Sequence, residues 1–152
     1  QSLQNHHGNE GISDLILDIV ICCYEDVFCM DDPEWHKRLI MQEILHNDTA
    51  IEYVVEYYFR PKNKAVIELY KKLMPTASTE ESYVWAFTLH SQMVFLLQLE
   101  KMLKVLIAGC CEQEKIIKES IKMTAQSMIS SARLPMPKRI VENKIEIKSI
   151  KA

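Results

Sequence analysis

An all-α fold, an antiparallel bundle of about six helices, is what this sequence predicts, and three observations predict it. The three glycines are Gly8, Gly11 and Gly109, so Ile12 to Ala108 contains none. A glycine-rich phosphate loop, a dinucleotide fingerprint or a β-fold with many tight turns would each need glycine there. Helix-start signals recur along the chain, and the apolar residues between them fall at i, i+3 and i+4. With 152 residues, 48% of them apolar, the chain can bury a core without disulfides or metal.

Taken in order, residues 1–11 are polar and hold two glycines, which predicts a flexible arm. Ser13 is the expected N-cap of a first helix reaching about Met30, with Leu15, Ile16, Ile19, Cys22, Cys23 and Val27 on its apolar stripe. Asp32-Pro33-Glu34 combines a capping aspartate, proline at the first helical position and an acid in the first turn, so a second helix runs to about His46. Asn47-Asp48 breaks it. The next begins near Thr49, and Pro61, which lacks an N–H, predicts a break or kink before the helix resumes and stops at Pro75.

Ser78-Thr79-Glu80-Glu81 is a capping box, with Ser78 at the cap and Glu81 reaching back. The helix after it, to about Ala108, is apolar around nearly its whole circumference, so other helices or a second subunit must cover it. Gly109 ends it. The last helix, Glu112 to about Ala132, carries one stripe, Ile117, Ile121, Thr124, Met128 and Ala132, a seam for core or dimer. Residues 12–132 thus form one helical body. Residues 133–152 read as a solvated basic tail, with Lys144–Lys148 alternating like a short strand or extended arm.

Charge is unevenly placed. The tail carries a net +4 and residues 1–132 a net −7, and an acidic body repels a phosphate backbone. Nucleic-acid binding by the body is thereby disfavoured. The five cysteines, Cys22, Cys23, Cys29, Cys110 and Cys111, show no C-x-x-C spacing, which points to a reducing cytoplasm. The richest apolar run, Ile19–Tyr24, is far short of the ~20 residues that span a bilayer, so no membrane association is expected.

No catalytic constellation emerges. His90 and Ser91 are adjacent, so on a helix they diverge by about a quarter-turn, and no glycine elbow exists for an oxyanion hole. His36 and His46 are ten positions apart, and His90 has no acid or histidine three or four residues away, so neither a metal nor a cofactor is expected, and the chain reads as a non-enzyme. The cysteine doublets could form a thiol or metal sensor, but cysteine more often fills cores.

Polar residues inside apolar helices are the remaining signal. Gln42 and Glu43 follow Leu39-Ile40-Met41, while Thr88, Ser91 and Gln92 interrupt the most apolar helix. Buried and unpaired, each would cost about 1–3 kcal/mol. Either they satisfy one another in a solid interaction module, or they line a cavity. Aromatics and methionines, among them Trp35, Tyr58, Trp85 and Met93, could supply its apolar wall.

The segment Trp35-His36-Lys37-Arg38-Leu39-Ile40-Met41-Gln42-Glu43, then Arg60-Pro61, then His90-Ser91-Gln92-Met93-Val94-Phe95, resembles the C-terminal domain of TetR-family transcriptional regulators, closest to the CecR-like subgroup. The likeness spans about Ile12 to Ala132. Gln42 stands where that pattern has arginine, and Ser91 replaces a glycine. The resemblance implies a ligand-sensing, homodimerising domain that binds a small apolar or aromatic effector. It implies DNA contact only through a helix-turn-helix domain, and nothing before Ile12 supplies one. The expected ligand-facing residues are Trp35, Leu39, Gln42, Tyr58, Trp85, Thr88, Gln92 and Met93. Glu43 and Arg60 are expected to form a bracing ion pair. The last two long helices would make the dimer interface, with Ser91, Phe95, Ile117, Ile121, Thr124 and Met128 in it.

Overall fold

The computed structural model describes residues 6–28, 52–53, 55–98, 102, 105–108 and 112–147. The described residues are mostly helical, with no strand among them. The expected Pro33–His46 helix and the Gly109 stop lie outside them. The chain divides into two compact units, Gln1–Cys29 with Phe87–Ala152, and Met30–Ala86.

In the first unit, helix α1 spans His6–Phe28. It starts well before Ser13, which corrects both the expected cap and the boundary of the expected arm. The Ser13 hydroxyl donates to the Asn9 carbonyl at 3.0 Å, one turn back, and is buried inside the helix rather than at its end. Serine offers the backbone either arrangement, and only packing selects between them. Ile16, Leu17, Val20, Tyr24 and Phe28 are the inward face of α1.

Helix α1 packs on the helix Gln113–Ser131. The direction of that packing follows from three points along it. Tyr24 meets Ser120 and Thr124, Phe28 shares a crevice with Gln113 and Ile117, and Asp18 lies farther along still, beside Arg139. Moving forward along one helix is moving backward along the other, so the pair is antiparallel. Burial of large aliphatic side chains stabilises such a seam by about 1.5–3 kcal/mol each.

The second unit contains a π-turn, Val55–Phe59, that runs directly into helix α2, Arg60–Leu73. Pro61 sits at the start of α2. Its ring would clash with the carbonyl four residues back in a regular helix, and the wider π-turn relieves that conflict. The break expected at Pro61 therefore takes the form of a change in helical winding. Helix α2 ends with Met74 N–H donating to the Tyr70 carbonyl at 2.8 Å, Lys71 and Lys72 in the last turn, and Pro75 beyond.

Helix α3, Thr79–Gln98, begins with the predicted capping box in full: Ser78 N–H donates to Glu81 Oε2 at 2.6 Å and Glu81 N–H to Ser78 Oγ at 3.0 Å. Its inward stripe is Ser82, Trp85, Leu89, Met93 and Leu96. Val84, Phe87 and Phe95 lie on the opposite side, exposed. Gln113–Ser131 is α4, which keeps Ile117, Ile121, Thr124, Ala125, Met128 and Ile129 buried.

The chain beyond α4 is packed against the body, which corrects the expectation of a solvated tail. Arg133, at φ 56°, ends α4: Leu134 N–H donates to Ile129 O and Arg133 N–H to Ser130 O, a Schellman cap. A short helix α5, Lys138–Val141, follows and ends the same way, with Asn143 at φ 55° and Lys144 N–H donating to Arg139 O. Pro137, Ile140 and Ile145 are buried, and Arg139 Nη1 pairs with Asp18 Oδ1 at 2.6 Å. Three apolar anchors hold the segment that its charge alone suggested was free. No strand forms over the described part of Lys144–Lys148.

Candidate functional site

Two side-chain assemblies stand out, one in each unit. In the second unit, Tyr70 of α2 and Trp85 of α3 stack with ring centroids 4.8 Å apart and planes inclined by 25°. Trp85 is only 4% exposed. Val66, one turn before Tyr70, is buried on the same face of α2. Stacked aromatics gain about 0.5–1.5 kcal/mol beyond their buried area, so the pair ties α2 to α3. The two rings are placed by neighbouring helices whose junction is fixed by Pro75 and the Ser78 cap.

In the first unit, three hydroxyls meet between α1 and α4. Tyr24 Oη lies 2.9 Å from Ser120 Oγ and 3.1 Å from Thr124 Oγ1, and all three residues are buried. Burial pushes the Tyr24 phenol above its ordinary value of 10.0, and the bonds to Ser120 and Thr124 oppose that rise. At the near end of the same seam, Phe28, Leu96, Ile107, Gln113, Ile116 and Ile117 line a crevice of about 10 Å³. That is room for a single water molecule, with the Gln113 amide as its one polar side chain.

The expected ligand-facing set is only partly brought together. Trp35, Leu39 and Gln42 lie outside the described residues, as do Glu43 and the Tyr58 side chain. Trp85 and Met93 are buried on α3, Thr88 is half-buried, and Gln92 is exposed. Ser91 is also exposed, its hydroxyl donating to the Thr88 carbonyl at 3.3 Å. Two of the polar residues that interrupt α3 therefore face water, and the desolvation argument does not apply to them.

Arg60 pairs through Nε with Glu56 Oε2 at 2.5 Å, one turn back on an exposed surface. A pair so exposed contributes at most a few tenths of a kcal/mol, about the value of an i,i+4 helix pair. Of the expected interface residues, Ser91 and Phe95 reach the surface, but Ile117, Ile121, Thr124 and Met128 are buried within one protomer. Their face of α4 is the one that meets α1 through Tyr24, so it is core. The exposed residues of α4 include Glu119, Met123, Ser127 and Ser130 instead.

Sequence reasoning missed the Tyr24–Ser120–Thr124 cluster. Ser120 and Thr124 stand one helical turn apart beside an otherwise apolar stripe, and that spacing was the available signal. Of the cysteine doublets, Cys22 is exposed and Cys23 buried, while Cys110 and Cys111 lie outside the described residues. Among the described residues no three His, Cys, Asp or Glu side chains group as metal ligands, and no helix is long and apolar enough to cross a membrane.

The family-model comparison places this helical chain among the C-terminal domains of TetR-type regulators. The chain belongs to the family described as the HTH-type transcriptional dual regulator CecR, C-terminal domain, whose model matches residues 26–133. That family is a class of transcription-regulator domains rather than an enzyme class. Neither a curated protein nor a solved structure matches the chain.

Proposed function

We propose that this chain is the effector-sensing and dimerising part of a TetR-type transcriptional regulator, taking a small apolar or aromatic molecule into its helical body. The observation that carries the reading is the family match over residues 26–133. The buried Tyr70–Trp85 stack supports it by giving this unit an aromatic interior, the chemistry that suits a flat apolar guest. Trp35, Leu39, Gln42 and Tyr58 of the same unit complete the proposed lining. Contact with DNA belongs to the helix-turn-helix part of such a regulator. A bound effector changes DNA affinity only by the difference in its affinity for the two arrangements of the domain.

The test is a thermal-shift screen of flat hydrophobic compounds, with tryptophan emission followed in parallel. A compound at about 100 times its Kd stabilises the domain by about 2.7 kcal/mol. For a chain of this size that shift is roughly 5–10 °C. The same compound should quench tryptophan emission, and Trp85→Leu should abolish the thermal shift and the quenching. If no compound in a chemically broad panel moves either signal, the sensing role is wrong.

A further inference from the structure

We propose that residues 134–147 form a strap that docks and undocks as a unit on the α1–α4 seam, and that its docking sets the freedom of α1. The strap begins at a left-handed residue, Arg133, directly after α4, and Pro135 and Pro137 prevent the helix from continuing. It is therefore a separate element laid back on the body rather than an extension of α4. Its second left-handed residue, Asn143, turns the chain again so that Ile145 returns to the interior.

Among the described residues, two kinds of contact hold it. Pro137, Ile140 and Ile145 are the buried anchors. Two peripheral polar ties reach different helices: Arg139 Nη1 to Asp18 Oδ1 of α1 at 2.6 Å, and Lys122 Nζ of α4 to Asn143 Oδ1 at 3.1 Å. The strap thus bridges both helices of the seam. Both ties are solvent-exposed, so salt screens the charged one. An element with three anchors and exposed ties opens at a lower free energy than the Ile121–Ile129 core beneath it.

Asp18 and Arg139 are 121 positions apart, and both lie outside the family-matched span of residues 26–133. The first twenty residues of α1 and the strap thus lie on either side of the matched span and are tied to each other. In the intact regulator the DNA-reading part precedes the C-terminal domain, so a strap that governs α1 would act on the helix nearest to it. That last step, unlike the docking itself, rests on the function proposed above.

Hydrogen exchange read by mass spectrometry on the whole chain tests the docking. In the wild type, strap peptides should exchange faster than peptides covering Ile121–Ile129. Ile140→Asn should speed exchange in α1 by about tenfold or more, and leave α2 unchanged. Arg139→Gln and Asp18→Asn, surface changes that a fold readily survives, should each speed α1 by about two- to fivefold, with no further effect in the double variant. Raising salt should accelerate α1 in the wild type and not in Arg139→Gln. Unchanged α1 exchange in the two surface variants would overturn the proposal. So would equal acceleration of α1 and α2, because the strap would then be part of one cooperative core. DNA affinity of the intact regulator with Arg139→Gln is a separate readout: a change in α1 without a change in affinity would leave the strap standing and remove only its regulatory consequence.

Discussion

Single residues decide more here than their neighbours in sequence suggest. Gly11 lies inside α1, and a Cβ built there would meet nothing within 4 Å. Glycine inside a helix costs about 0.5–1 kcal/mol relative to alanine, so Gly11→Ala should raise stability by that amount in denaturant titration. If α1 instead began at Ser13, the substitution would be neutral, so the measurement also checks where the helix starts. Tyr24 is the opposite case, a buried group with every partner made. Tyr24→Phe leaves the Ser120 and Thr124 hydroxyls without the oxygen they share and should lower stability by about 1–2 kcal/mol. Its pH dependence has a definite sign. The folded phenol ionises above 10.0, so its contribution is complete below that pH, and it is lost as the unfolded tyrosine ionises first on the way up. Melting temperatures from pH 8 to 11 should fall less steeply in Tyr24→Phe than in the wild type.

Elements whose signals are local were legible in the sequence. The Ser78–Glu81 box closes within four residues, so both of its hydrogen bonds could be read from residue type and spacing. Ser78→Ala should cost about 1 kcal/mol, measured by thermal melting, and Ser78→Asp should restore most of it. Pro61 likewise announced a disturbance, which takes the form of a π-turn running into α2 rather than a break. Elements whose signals are long-range were not legible. The strap looked like a charged tail because Arg139 meets Asp18 across 121 positions and because Ile140 and Ile145 are spaced for neither a helix nor a strand. The first helix was misread at its start for a third reason: Ser13 can cap a helix or bond back within one, and residue type does not distinguish them.

For the whole molecule the same contrast governs the proposed dimer. Helix α3 is apolar on all sides, so its pattern could not say which side is covered by its own chain. The structure separates the two: Leu89 and Met93 face inward, while Phe87 and Phe95 stand out on either side of the small residue Ser91. Phe87, Ser91 and Phe95 succeed one another at i+4, so they form one exposed ridge on α3 that a second copy could cover. The α4 stripe carries the reverse lesson, because its regularity suggested a seam between protomers and it serves as the seam within one. The two readings give opposite results for one substitution at each place. Phe95, 54% exposed, should tolerate Phe95→Glu with unchanged helical circular dichroism while sedimentation shows the dimer falling to monomer. Ile121, fully buried, should not tolerate Ile121→Glu at all, because an unpaired carboxylate in the α1–α4 seam unfolds the protomer before any interface is at issue. A Phe95→Glu protein that sediments like the wild type would move the interface off α3 and onto another exposed face, with Met123 of α4 the next position to change.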